Sequence, residues 1–205
     1  MREEKKMNYL KDNIIVLGCQ RSGKTTLSNI LVNNGKYSII SVDSLIYAFQ
    51  RVYPETNIDR NSKIIEKSKT LTPFVAKYVE SFRKDYSNVP CIIEACQLLP
   101  IDVMKEKLFC KNKIVCLGFP EASEDEIFEN IRKNDINITS YTKKMSDYEL
   151  KENIKYWIEY SKVLKKQAEK LGIPFYETNI DRQDVLTQIA EQLIKVKCIE
   201  EEERK

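Results

Sequence analysis

Residues Gly18-Cys19-Gln20-Arg21-Ser22-Gly23-Lys24-Thr25 spell G-x-x-x-x-G-K-T, directly after the apolar run Ile14-Ile15-Val16-Leu17. This is the phosphate-binding P-loop in the setting it requires, a strand running into a helix. By average residue usage, chance produces such a match in about one chain of this length in a hundred. Successive backbone N–H groups of such a loop turn inward on phosphate oxygens. The helix that follows aims the positive end of its dipole at the same anion. Lys24 is expected to reach the β- and γ-phosphates, and Thr25 to offer its hydroxyl to Mg²⁺. Arg21 has the choice of phosphate or solvent, and Thr26 completes the expected nucleotide-binding set of residues 18–26.

The chain contains no histidine. Proton transfer near neutral pH therefore falls to a carboxylate, a tuned lysine, a thiol or water. Two carboxylates stand where strands are expected to end. Asp43 follows Ser41-Val42, and Glu94 follows Cys91-Ile92-Ile93. In an open α/β sheet the carboxyl ends of the strands form the ligand crevice, which puts both beside the phosphates. Asp43 there accepts the proton of an attacking hydroxyl; otherwise it caps the next helix. Glu94 holds Mg²⁺ through water or orients the nucleophile, or else is only a polar residue closing a strand.

The elements that must position these groups are legible as alternating runs. Strands are expected at 13–17, 37–42, 89–93, 113–117 and 173–177. Consecutive Ile and Val, rather than strict alternation, suit a parallel sheet covered on both faces. Helices are expected at 23–33, 44–52, 62–86, 101–109, 121–133, 146–171 and 182–196. Strand alternating with helix indicates a doubly wound α/β sheet. Ser123-Glu124-Asp125-Glu126 and Ser146-Asp147-Tyr148-Glu149 read as capping boxes, and Leu171-Gly172-Ile173-Pro174 as a helix stop. Leu150, Ile154, Trp157, Ile158 and Leu164 recur at mostly helical spacing, so Trp157 is expected in the core rather than against a base.

With 205 residues, 42% of them apolar and 32% charged, the chain suits one compact domain, 1–205, with a small lid. A net charge of +3 gives no support for bulk nucleic-acid or membrane binding. No apolar run is long enough to span a bilayer, and residues 1–11 are too polar for a signal peptide. Cys19, Cys91, Cys96, Cys110, Cys116 and Cys198 form no C-x-x-C pair. These features lead us to expect a reduced, cytoplasmic protein without a zinc site.

The P-loop, Asp43, Glu94 and the Arg132-bearing helix after the fourth strand together resemble the P-loop small-molecule and nucleotide kinases. That group includes the adenylate, shikimate and gluconate kinases and chloramphenicol phosphotransferase. Ser41-Val42-Asp43-Ser44-Leu45-Ile46 is most similar to the second-strand end of the chloramphenicol phosphotransferase type. The resemblance implies a three-layer P-loop NTPase sandwich, with a five-stranded parallel sheet of order 2-3-1-4-5. It also implies an acceptor-binding segment at about 44–86 and a lid at about 132–146. Arg132 would clamp the transferring phosphoryl group, with Lys143 and Lys144 as lesser candidates; a basic residue ending a helix is favourable in any case. The family more often has Asp, commonly followed by Gly, at the place of Glu94-Ala95. The loop Ile180-Asp181-Arg182 would cover the adenine base, and Gly118-Phe119-Pro120 resembles a turn of nucleotide kinases. Arg51 and Arg60 flank the acceptor segment.

The expected activity is transfer of the γ-phosphoryl group of ATP, with Mg²⁺, to a small-molecule hydroxyl or phosphate. Lys24, Asp43 and Arg132 would be catalytic, and Thr25 and Glu94 would serve the metal. Two alternatives stand beside it: a P-loop ATPase acting as a nucleotide-dependent regulator, and a kinase of an RNA or protein acceptor. A GTPase is excluded, because Asn112-Lys113-Ile114-Val115 has Val where the guanine-reading Asp belongs.

Overall fold

The computed structural model describes residues 13–35, 37–56, 58, 64–86, 89–109, 111–135 and 140–202, with backbone alone at 65 and 195–202. The strands are β1 (Ile14–Gly18), β2 (Ser38–Ser41), β3 (Cys91–Ala95), β4 (Lys113–Gly118) and β5 (Phe175–Glu177). They form one sheet of order β2-β3-β1-β4-β5, in which every pairing is parallel. The order implied by the resemblance is thus the order observed.

The central strand β1 is fully buried along its length. Its side chains alternate between two apolar layers. Ile15 and Leu17 pack with Val42, Ile46, Leu71 and Val75, from the helices between β2 and β3. Ile14 and Val16 pack with Leu27, Leu31, Leu186 and Ile189, from the helices after β1 and β5. Burying each such side chain contributes roughly 2 kcal/mol. Asn13 registers the strand at its start: Cys91 N donates to its side-chain oxygen at 2.8 Å, and Lys113 N to its carbonyl at 3.1 Å.

The helices are α1 (Lys24–Asn34), α2 (Val42–Val52), α3 (Ile64–Asp85), α4 (Pro100–Lys105), α5 (Glu124–Asp135), α6 (Asp147–Leu171) and α7 (Arg182–Glu202). Both capping boxes form. Ser146 Oγ accepts from Glu149 N at 3.2 Å while Ser146 N donates to the Glu149 carboxylate at 2.9 Å. Glu126 N donates to Ser123 Oγ at 3.3 Å. Gly172 ends α6 with φ of 67°, the left-handed geometry its position requires. Trp157 lies in the core with Leu150, Ile154 and Leu164, as its spacing predicts.

Of the boundaries that differ from expectation, three bear on the site. The strand expected at 37–42 ends at Ser41, because Ser41 is the N-cap of α2: its Oγ accepts from Ser44 N at 3.3 Å. Asp43 therefore sits in the first turn of α2 and is neither the strand end nor the cap. The strand expected at 89–93 runs instead from Cys91 to Ala95, since Pro90 has no N–H to give a ladder and only its carbonyl pairs, with Ser38 N. The helix expected at 101–109 divides into α4 and a 3₁₀ turn, Lys107–Phe109, with Glu106 extended between them.

Candidate active site

The loop after β1 is shaped by its two glycines. A side chain on Gly18 would bring a Cβ to 2.6 Å from Ser22 Oγ and 2.7 Å from the Leu117 carbonyl. Gly23 has φ of +92°, where a side chain is strained, and its back is packed by Leu186 of α7. Arg21 is also left-handed, at φ 64°. The turn is closed from within: Ser22 Oγ donates to the Cys19 carbonyl at 2.9 Å and Lys24 Nζ to the same oxygen at 2.8 Å. Lys24 is buried, so its ammonium is held over the loop.

Thr25, at the start of α1, donates from Oγ1 to Glu94 Oε1 at 2.6 Å. The parallel register of β1 against β3 sets Leu17 beside Ala95 and so brings Glu94 to the mouth of the phosphate loop. Asp43, from α2, accepts a hydrogen bond at Oδ1 from Gln97 Nε2. Gln97 lies two residues past β3 and is only 6% exposed.

These groups share one cavity of about 1020 Å³. It is lined by Gln20, Arg21, Lys24, Thr25 and Thr26 of the phosphate loop and the start of α1, and by Asp43, Lys67, Glu94, Cys96, Gln97 and Tyr156. Asn179, Asp181, Arg182 and Gln183, from around the start of α7, and Asn130, Asn134 and Tyr141 also line it. Lys24, Thr25, Asp43 and Glu94 are thus brought together.

Arg132 is directed elsewhere. Its guanidinium donates to the Thr142 carbonyl at 3.0 Å, the Met145 carbonyl at 2.9 Å and Asp147 at 2.7 Å. It is not among the residues lining the cavity, because the carbonyls of the segment after α5 capture its donors. Lys143 and Lys144 lie on the 3₁₀ turn Tyr141–Lys144 and also do not line the cavity. Arg51 stacks over the Tyr47 ring at 5.9 Å, and Arg60 lies outside the described residues. In the loop after β5, Asp181 and Arg182 face the cavity while Ile180 is exposed.

The cavity-facing arginines are instead Arg21 and Arg182. Arg21 is paired with Asp135 at 3.1 Å, the last residue of α5. Asp135 also accepts from Ser140 Oγ at 2.7 Å and Thr142 Oγ1 at 2.8 Å. Burial alone would raise the Asp135 pKa; the Ser140 and Thr142 hydroxyls and the Arg21 and Arg132 charges hold it below the ordinary value. Burial, together with the nearby Arg21 charge, lowers the pKa of Arg182.

The thiols are removed from proton transfer. Burial pushes Cys19 up to about 11 and Cys96 up to about 12, so both are protonated at neutral pH. Among the described residues no group of three or more His, Cys, Asp or Glu could hold a metal ion. The hard oxygens of Thr25 and Glu94 nonetheless suit Mg²⁺, which takes one or two protein oxygens and completes its shell with phosphates and water.

Sequence reasoning passed over Gln97 and Lys67. For Lys67 the signal was present: it falls on the stripe Ile64, Ser68, Leu71, Val75, and a lysine on the buried face of an amphipathic helix is unusual. Gln97 carried only a weak signal, its nearness to a strand end.

The five-stranded parallel sheet, its order and the loop after β1 define the fold of the P-loop kinases. A gluconokinase from Sinorhizobium meliloti 1021 superposes with a TM-score of 0.52 at 12% identity, over 91% of this chain and 94% of that one. A shikimate kinase from Bacteroides thetaiotaomicron superposes with a TM-score of 0.53 at 16% identity, over 90% of this chain and 97% of that one. No protein-family model and no curated protein matches the sequence. Among the described residues no helix is long and apolar enough to cross a membrane.

Proposed function

We propose that the protein is an ATP-dependent kinase that phosphorylates a hydroxyl of a small molecule. The observation that carries this reading is the shared cavity, which Asp43 lines together with Lys24, Thr25 and Glu94. The two structural neighbours, named for gluconate and for shikimate, support the same class of acceptor.

In this reading the loop amides of residues 20–25 cradle the β-phosphate. Lys24 exchanges its bond to the Cys19 carbonyl for oxygens of the β- and γ-phosphates. Thr25 and Glu94 would hold Mg²⁺, directly or through water, and the bound ion would supply charge neutralisation for the transfer. Asp43 takes the proton of the acceptor hydroxyl as the new O–P bond forms and the bond to the leaving β-phosphate oxygen breaks. With no histidine in the chain, and the cavity thiol Cys96 and the buried loop thiol Cys19 both protonated, a carboxylate is the chemically available base. Arg21 and Arg182 supply cationic charge beside the phosphates, and Asp181 and Arg182 border the base. Arg132 ties down the lid, about 132–146, whose Asn134 and Tyr141 line the cavity. Residues 1–205 act as one domain, with the acceptor on the 44–86 side. The buried thiols Cys19, Cys91, Cys96 and Cys116 are free, which suits a reducing cytoplasm.

Titration calorimetry with MgATP, followed by an ATP-consumption screen over sugars, sugar acids, nucleosides and hydroxylated antibiotics, tests this. Saturable MgATP binding and acceptor-dependent ADP release are expected. Absence of any heat with MgATP would falsify the reading.

A further inference from the structure

Arg21 stands in the phosphate loop with a left-handed backbone, at φ 64°. A residue with a Cβ rarely adopts this conformation, and where it does the surrounding structure holds it there. The guanidinium donates from Nη2 to Asp135 Oδ1 at 3.1 Å, and among the described residues that is its one hydrogen bond. A guanidinium carries several N–H donors in a fixed plane, so this bond restricts its direction and leaves the other donors for a ligand. Arg21 lines the cavity, whereas Asp135 does not and is only 4% exposed. The carboxylate is therefore not itself among the groups that a cavity ligand would meet. Asp135 is in turn held by its neighbours. Oδ1 accepts from Ser140 Oγ at 2.7 Å and Oδ2 from Thr142 Oγ1 at 2.8 Å. Thr142 is fully buried, and its carbonyl accepts from Arg132 Nη1 at 3.0 Å. A chain of contacts thus runs from Arg132 through Thr142 and Asp135 to Arg21.

We propose that Asp135 is a positioning residue for nucleotide binding: it holds the Arg21 guanidinium at the cavity so that its unused N–H groups meet the triphosphate. This inference rests on the kinase reading above. Asp135 touches neither nucleotide nor acceptor; it acts through Arg21. Guanidinium bonds to phosphate are charge-assisted and directional, so an arginine already held in place binds more tightly than one that must first be ordered. Arg132, at the far end of the same chain of contacts, then bears on phosphate binding without lining the cavity.

The test is titration calorimetry of MgATP into full-length wild type, Arg21→Ala, Asp135→Asn and the double variant. Asp135→Asn keeps an oxygen for the Ser140 and Thr142 hydroxyls and removes the charge that orients Arg21. Each single variant is expected to raise the Kd about 10-fold, and the double variant no further. A merely structural carboxylate would raise the Kd by the same factor whether or not Arg21 is present, so the two losses would multiply to about 100-fold. The proposal is overturned by that product, by an unchanged Kd in folded Asp135→Asn, or by an unchanged Kd in Arg21→Ala. Should Asp135→Asn not fold, Ser140→Ala takes its place. Loosening the carboxylate should raise the Kd a few-fold beside Arg21 and leave it unchanged beside Arg21→Ala; equal effects in both backgrounds, or none in either, overturn the proposal. No heat with MgATP from the wild type defeats the kinase reading itself, whereas binding with independent losses defeats only the role of Asp135.

Discussion

Thr25 Oγ1, on the first turn of α1, and Glu94 Oε1, near the end of β3, meet at 2.6 Å. Neither residue is near the other in the chain. The pair exists because β1 and β3 run in register, with Val16 beside Glu94. It sets a hydroxyl and a carboxylate at the mouth of the phosphate loop, where a hard cation accompanying a nucleotide would sit.

Glu94→Gln keeps the size of the side chain and removes its charge. We expect kcat for acceptor phosphorylation to fall by about 100-fold and the half-saturating Mg²⁺ concentration to rise. Thr25→Ala should act in the same direction. Because the two residues share one hydrogen bond, the double variant should lose less than the product of the single losses. A magnesium titration of kcat in the four proteins checks both statements.

Asp43→Asn retains the hydrogen-bonding shape beside Gln97 but cannot take a proton. Transfer should fall by about 10²- to 10⁴-fold with MgATP affinity changed only a few-fold. Full transfer by the variant would remove Asp43 from the mechanism. The cysteines offer a control. With Cys96 pushed up to about 12, the rate between pH 6 and 9 should show no thiol ionisation, and Cys96→Ala should give the same pH profile.

Asp135 links the phosphate loop to the lid through Arg21, Ser140 and Thr142. Its folded pKa lies below its ordinary value of 3.8. A depressed carboxyl stabilises the fold fully above the unfolded pKa and loses that contribution as pH falls through the folded one. The link should therefore be intact from neutral pH down to the ordinary Asp range and weaken only in stronger acid. Asp135→Ala should cost about 2–3 kcal/mol at pH 7, since it leaves the Arg21 charge without its partner. Urea unfolding of both proteins at pH 7 and at pH 3 measures it. The difference between them should narrow at the lower pH.

Gly18→Ala forces a Cβ against Ser22 Oγ and the Leu117 carbonyl, one of them rigid backbone. We expect loss of MgATP binding together with a destabilisation of about 1–3 kcal/mol. Calorimetry and thermal melting separate the two effects. Wild-type affinity in the variant would show that the loop relaxes more readily than its packing indicates.

Much of this was legible in one dimension. The G-x-x-x-x-G-K-T run after four apolar residues marks a phosphate loop because its backbone chemistry is local. Helix ends at Ser123, Ser146 and Gly172 were legible for the same reason, since caps involve residues only a few positions apart. The alternation of β-rich and helical runs was enough for the fold class, and the family resemblance for the strand order.

What only the tertiary structure decided lies in pairs distant along the chain. Gln97 takes its orientation from Asp43, 54 positions away, and Arg21 meets Asp135 across 114. Arg132 is favourable at a helix end on any reading of the sequence. Its donors are nevertheless taken up by carbonyls of the segment that follows α5. A side chain's type is written in the sequence, but its partner depends on which strands become neighbours. That choice is set by the burial of the whole sheet, not by any short stretch of residues.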